Sequence, residues 1–193
     1  GSVSLRALVR HLCRRAGLAD AQIDASRLTG AVEGFMLASL ESPKQTIGSL
    51  SRMFAFDAAE VDGRIVFVHR GRGIGPSITL EDLVDTGEGD IIEMTRAQET
   101  ELPQALKWTT SRADEEYDTG AAEARRQTVL AERVQAEQFP AAVSPEETER
   151  QCRRALAEAW AGRESAKFGL PLSRLALEPG DAVAFHMLAL HAS

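Results

Sequence analysis

The side chains that could carry chemistry in this 193-residue chain are histidines, cysteines, crowded carboxylates and a glycine-rich turn. His11, His69, His186 and His191 form no His-Glu-x-x-His or His-x-x-x-His pattern and have no cysteine at zinc spacing, so no metal site is expected. Cys13 and Cys152 lie on expected helix faces without ligand spacing, and read as buried or half-buried thiols with no disulfide between them. A nucleophilic serine belongs in a Gly-x-Ser-x-Gly strand-to-helix elbow, whereas Gly48-Ser49 falls inside an expected helix. Gly71, Gly73 and Gly75 lack dinucleotide-loop spacing, precede no P-loop lysine and lead toward a loop, so they are not expected to cradle a phosphate.

Carboxylates are the remaining source of catalysis. Asp85, Glu88 and Asp90, and Asp114, Glu115 and Glu116 with Asp118, could pair for glycoside hydrolysis or supply hard oxygen ligands to calcium. Neither cluster matches a calcium loop, and carboxylates crowded into turns are usually just solvated. Residues 114–118 read as a turn between strands, with Tyr117 anchoring it by its ring. No catalytic, cofactor-binding or metal-binding residue is therefore expected, and no cofactor.

Composition narrows the classes further. With 26% charged and 44% apolar residues, the chain should pack a real core, of Leu, Val and Ile with few rings because only 5% of residues are aromatic. A net charge of −7 argues against a nucleic-acid surface, which depends on a concentrated positive field. The longest apolar run, residues 182–190, is about half a bilayer span and contains His186, so no membrane-spanning segment is expected. No signal peptide opens the chain, and Gly1-Ser2 reads as the scar of a cleaved tag. The apolar C-terminus suggests a piece cut from a larger protein.

The elements that would position these residues follow from periodicity. Leu5, Leu8, Val9, Leu12, Cys13 and Ala16 recur at helical spacing, with Gly17 placed to stop the helix. Arg6, Arg10, His11, Arg14 and Arg15 fall off that stripe and read as a solvated basic face. Residues 19–29 are short and polar, and 32–37 read as a strand. Ser42-Pro43-Lys44-Gln45 is a capping box that opens a helix ending near Phe54. Residues 56–61 and 64–69 flank Asp62-Gly63, a strong hairpin signal. Residues 3–70 thus make a small α+β unit, and 71–92 a linker with a short turn at 80–84.

In the second half, 90–94, 104–111 and 123–132 read as strands, with helix open for the last because Ala, Glu, Arg and Gln are good helix formers. Ser144-Pro145-Glu146-Glu147 reads as a second capping box, opening a helix over 145–164 with Cys152, Ala155, Leu156, Ala159, Trp160 and Arg163 on one face. Strands at 165–170 and 182–188 follow, the latter after a turn at Glu178-Pro179-Gly180-Asp181. The fold class is α+β, and the residues alone name no function.

Several stretches, in their order, resemble phage tail hub proteins, including the large tail protein of gene transfer agents and tail-tip relatives from lambda-like phages. In the first half these are residues 3–18, Val32-Glu33-Gly34-Phe35, the capped helix and the hairpin, which resemble a small α+β insertion. In the second they are Thr95-Arg96-Ala97-Gln98, Glu101-Leu102-Pro103, the acidic turn around Tyr117, Ala124-Arg125-Arg126, the helix through Trp160, and Leu177-Glu178-Pro179-Gly180-Asp181. The acidic turn lacks the proline-bearing loop of that family, and the tail after Phe185 departs from its usual continuation. The resemblance implies that residues 93–193 are a mixed, partly open β-barrel-like hub domain with one long helix, decorated by 3–70. It implies a structural and non-enzymatic role in a virion, made in the bacterial host cytoplasm: a homotrimeric ring joining the tail tube to the tip or spike, with DNA only as passing cargo. An acidic channel wall would let that DNA slide.

The rival readings are three. A tail-borne cell-wall glycoside hydrolase would use two of Asp85, Glu88, Asp90, Asp114, Glu115 and Glu116, facing each other across a cleft. A monomeric adaptor or receptor-binding module would expose no large apolar patch. A nucleic-acid binder would merge the arginines of the first helix with Arg70 and Arg72 into one stripe.

Overall fold

A computed structural model describes residues 1–35, 42–71, 78–85, 87, 90–111, 119–127 and 132–171. Strand β1 (Val3–Ser4) runs into helix α1 (Leu5–Arg15), where Ser4 Oγ accepts the Ala7 N–H and Leu5, Val9, Leu12 and Cys13 are buried as the periodicity predicts. Gly17, at φ 95°, ends it. A 3-10 turn at Asp20–Gln22 leads to β2 (Ile23–Asp24), then β3 (Ala31–Val32) and β4 (Gly34–Phe35). The single strand predicted over 32–37 is therefore two short pieces: β3 pairs with β1, while the next residue, Glu33, donates its N–H to the Ala142 carbonyl and turns the chain toward another sheet.

Helix α2 (Pro43–Phe54) has the predicted reciprocal cap: Ser42 Oγ accepts the Gln45 N–H, and Gln45 Oε1 accepts the Ser42 N–H. Strands β5 (Phe56–Val61) and β6 (Arg64–His69) form the expected hairpin. Asp62 and Gly63 both have positive φ, 50° and 69°, as a tight hairpin turn matching strand twist requires. Because β6 lies between β5 and β2, Ile65, Val66 and Val68 are half-buried and Phe67 and His69 buried, which accounts for its continuous apolar run.

A 3-10 turn at Leu80–Asp82 precedes β7 (Ile92–Arg96) and β8 (Pro103–Ser111), followed by β9 (Thr119–Arg125) and β10 (Arg133–Ala142). The strand predicted over 123–132 is thus displaced toward the N-terminus, and the helix alternative does not hold for the part described. The ten-residue β10 has no counterpart in the prediction. Val134 and Phe139 are its only large aliphatic or aromatic side chains, at odd separation, so no alternation marks it; its long parallel pairing with β8 holds it in place. Helix α3 (Pro145–Ala161) ends before 164, at the Gly162 cap. Its N-terminal cap is one-sided: Ser144 Oγ accepts the Glu147 N–H, but the Glu147 carboxylate turns to Arg150 and Gln151. Strand β11 (Glu164–Phe168) pairs antiparallel with β7.

The described strands make four open sheets, ordered β1-β3, β2-β6-β5, β4-β10-β8-β9 and β11-β7. No barrel closes among the described residues, which corrects the barrel-like expectation. One hydrophobic cluster runs from Leu5, Leu50, Phe54 and Phe67 to Trp108, Phe139, Cys152 and Trp160. The predicted acidic turn at 114–118, the turn at 178–181 and the strand at 182–188 lie outside the described residues.

Candidate functional site

Helix α3 lies on one face of the large sheet. Its Thr148 Oγ1 is 3.4 Å from Thr110 Oγ1, the Cys152 thiol donates to the Leu106 carbonyl at 3.4 Å, and Trp160 Nε1–H donates to the Pro103 carbonyl at 2.9 Å. The Trp160 ring also carries the Arg126 guanidinium 4.4 Å from its centroid. These contacts fix the helix relative to β8 and turn its other flank, with Arg154 and Glu158, toward the end of α2.

There a polar junction forms, with Arg70, Arg154 and Glu158 half-buried and Arg52 and Asp57 exposed at its rim. Ala55, at φ 49°, ends α2 in the left-handed region and presents its carbonyl to the Arg70 N–H at 2.8 Å. The Arg154 guanidinium donates to that carbonyl and to the Arg70 carbonyl, and its Nε reaches Glu158 at 3.1 Å. The Arg70 guanidinium bridges Glu158 and Asp57, each at 3.4 Å, and donates to the Ser51 carbonyl. Arg52 meets Glu137 of β10 at 2.7 Å. No spacing in the sequence singles out Arg154; it falls off the apolar stripe and reads there as one more solvated arginine.

Beside this junction opens a cleft of about 930 Å³, with Leu106 and Trp108 at one side, Ala155 and Ala159 of α3 at another, and Arg133–Glu137 of β10 along its length. Its carboxylates, Glu137 and Glu158, are each paired with arginine: Glu137 with Arg52, and Glu158 with Arg70 and Arg154. A smaller groove of about 400 Å³ flanks the other edge of the sheet, between Glu123–Arg125 of β9, with the adjoining Arg126, and Arg153, Leu156 and Ala157 of α3. Exposed apolar side chains include Leu80 at 72%, Met94 of β7 at 63% and Ile91 just before it at 47%, with Val134 of the cleft also exposed.

Among the described residues, those selected from the sequence do not converge on either cleft. His11 is exposed on α1, and His69 is buried, its Nδ1–H donating to the Phe54 carbonyl at 3.0 Å and its Nε2 accepting the Thr29 N–H at 3.0 Å. Cys13 and Cys152 are free and buried, and burial pushes both thiols above their ordinary value. Asp85 caps its own turn by accepting the Gly87 N–H, and Asp90 is exposed. Ser49 sits within α2, and Gly71, at φ 65°, follows β6 as a turn. Arg10 and Arg14 share Asp20, while Arg70 is spent in the junction; the basic stripe a nucleic-acid surface needs is not assembled from them. Arg6 and Arg15 remain exposed on α1. Arg72, Gly73, Gly75, Glu88, Asp114, Glu115, Glu116, Tyr117, His186 and His191 lie outside the described residues. No helix among the described residues is long and apolar enough to cross a membrane, and no group of three or more metal-ligating side chains is found among them.

Comparison with known proteins bears on the whole fold. A family described as "Putative phage tail protein" matches residues 42–187. A chain in the solved virion of a native gene transfer agent particle superposes with a TM-score of 0.82 at 28% identity, over 93% of this chain and 40% of that one. A 43 kDa tail protein of prophage MuSo2 from Shewanella oneidensis aligns at a TM-score of 0.45 and 12% identity, covering 86% of this chain and 48% of that one. The chain thus spans less than half the length of these solved relatives. No curated protein matches it.

Proposed function

Because the chain belongs to the phage tail protein family, we propose that it is a structural component of the tail hub or tip, joining the tail tube to the tip or spike in a phage, prophage or gene transfer agent particle. The observation that carries this reading is the superposition, at a TM-score of 0.82 over 93% of the chain, on part of a gene transfer agent virion. Residues 3–70 form the decorating α+β unit, 71–92 the connection and 93–193 the hub-type part, repeated in a homotrimer around a passage for DNA. The role is assembly, not catalysis: the carboxylates of the cleft beside the Arg154 junction are paired with arginines, and Met94 of β7, with Ile91 just before it, presents apolar surface of the kind neighbouring subunits cover.

The test is placement in the particle. Gold-labelled antibody against residues 3–70 is expected to decorate the tail end distal to the head, and particles made without the protein are expected to lack an ordered tip. Labelling of the head, or intact and infective tails in its absence, would overturn the reading.

A further inference from the structure

Two guanidiniums flank the Trp160 ring. Arg163 lies 5.7 Å from its centroid and is ion-paired with Glu99 at 3.1 Å and Glu164 at 3.9 Å. Arg126 lies closer, at 4.4 Å, is exposed, and has no carboxylate partner among the described residues. It is nevertheless held in place. Its backbone N–H donates to the Gln104 carbonyl at 2.8 Å, and the ring beneath it is fixed by its own N–H bond to the Pro103 carbonyl. A guanidinium resting on an aromatic ring uses one face and keeps its in-plane N–H groups, the fork that takes a carboxylate through two parallel bonds. Arg126 is therefore an oriented donor without an acceptor in a chain of net charge −7, and little side-chain freedom remains to be lost when an acceptor arrives.

The 400 Å³ groove surrounds that fork. Arg125 and Arg153 flank Arg126, while Ala124 and Leu156, both buried, and Ala157 supply an apolar floor. Ala157 follows Arg153 by one helical turn and its short side chain leaves the space open. Arg125 is already paired with Glu123, and Arg153 with Glu149, so Arg126 is the cation that recognition would fall on. Glu123 and Glu149 also decide which anion fits. They repel a continuous run of phosphates, whereas a peptide brings spaced carboxylates on a neutral backbone. The groove is larger than a single ion needs, and its apolar floor suits a short aliphatic side chain beside the acidic one.

We propose that the groove between β9 and α3 binds an acidic peptide segment of another protein, with an aspartate or glutamate carboxylate seated on the Arg126 fork and an apolar neighbour on Leu156 and Ala157. This binding function goes beyond placement in a tail tip and does not depend on it.

The test uses the whole chain and a fluorescein-labelled peptide of aspartate, glutamate and valine, read by anisotropy. The peptide is expected to bind, more weakly as salt rises, while the same peptide with amides in place of its carboxylates does not bind. Arg126→Ala is expected to weaken binding about tenfold, and Arg126→Lys nearly as much, because the charge stays but the fork is lost. Arg6→Ala, which removes an exposed arginine of α1 outside the groove, is expected to change nothing. Because Arg126 rests on Trp160, binding is expected to shift tryptophan emission in the unmodified chain and not in Arg126→Ala, a signal that general attraction between charges does not produce. Both Arg126 variants are expected to keep the helix circular dichroism of the unmodified chain, since the side chain is exposed. No binding of the acidic peptide, equal losses from Arg126→Ala and Arg6→Ala, or ready displacement of the peptide by single-stranded DNA would each overturn the proposal. Absence of peptide binding would remove the groove's role and leave the tail reading standing; gold label on the head would do the reverse.

Discussion

Cys13 and Cys152 are the residues where sequence chemistry and structural placement meet most directly. Helical spacing put both on buried faces, and both are buried there, Cys152 with its S–H donated to the Leu106 carbonyl. Loss of solvation is the main cause that raises each thiol above its ordinary value of 9.0. The sign for stability follows: below 9.0 both states hold neutral thiols and nothing is lost, whereas above it the unfolded chain ionises first and stability falls until the native thiols ionise too. In the native protein at neutral pH, neither thiol is expected to react with an aromatic disulfide reagent within minutes, and both are expected to react after denaturation. The alkaline loss of stability is expected to shrink in a Cys13→Ala, Cys152→Ala variant. A fast native thiol, or an unchanged alkaline limb, would contradict the burial. His69 and Arg154 teach the opposite lesson. Nothing local announces that both ring nitrogens of His69 are occupied by the backbone of Phe54 and Thr29, or that Arg154, off the apolar stripe of α3, reaches two carbonyls far along the chain.

Helix ends and hairpin turns are written locally, and there the sequence was legible almost to the residue. The serines before α2 and α3 differ in a way that can be measured. Ser42 and Gln45 exchange hydrogen bonds, whereas the Glu147 carboxylate pairs with Arg150 and Gln151 instead of returning a bond to the Ser144 N–H. Replacing either serine by alanine is expected to cost about 1 kcal/mol in urea denaturation. A Gln45→Ala change should add a further loss, while Glu147→Ala should leave the Ser144 cap untouched; equal losses from the two would mean that the boxes are alike. Strands were legible only where alternation or a turn announced them. The hairpin β5-β6 has Asp62-Gly63 between its arms, but β10 has neither a flanking tight turn among the described residues nor a regular apolar face. Its register is set by β8, some thirty residues earlier in the chain, so no window of local sequence contains the cause. For the same reason the run at 32–37 looks like one strand: which sheet each piece joins depends on Val3 and on Ala142.

At the scale of the molecule, the division into a first and a second half is a matter of topology, while the core is shared. β4 adds to the sheet of the second half, Arg154 clasps the carbonyls of Ala55 and Arg70, and the buried cluster passes from Phe54 and Phe67 to Phe139 and Trp160 without a break. Those couplings predict one cooperative unfolding transition. The chain supplies its own probes, because both tryptophans, Trp108 and Trp160, lie in the second half and are buried. His69→Leu acts in the first half, leaving the Phe54 carbonyl and the Thr29 N–H without their partner, at an expected cost of about 2–4 kcal/mol. If the halves unfold together, the tryptophan fluorescence midpoint must fall by the full amount seen in helix circular dichroism, although the substitution touches neither indole. If they unfold separately, fluorescence keeps its midpoint while part of the dichroism transition moves ahead of it. The second result would mean that the Arg154 junction holds the halves in place without coupling their stability. An Arg154→Lys variant, which keeps the charge but loses the fork that spans two carbonyls, would then leave both transitions unchanged.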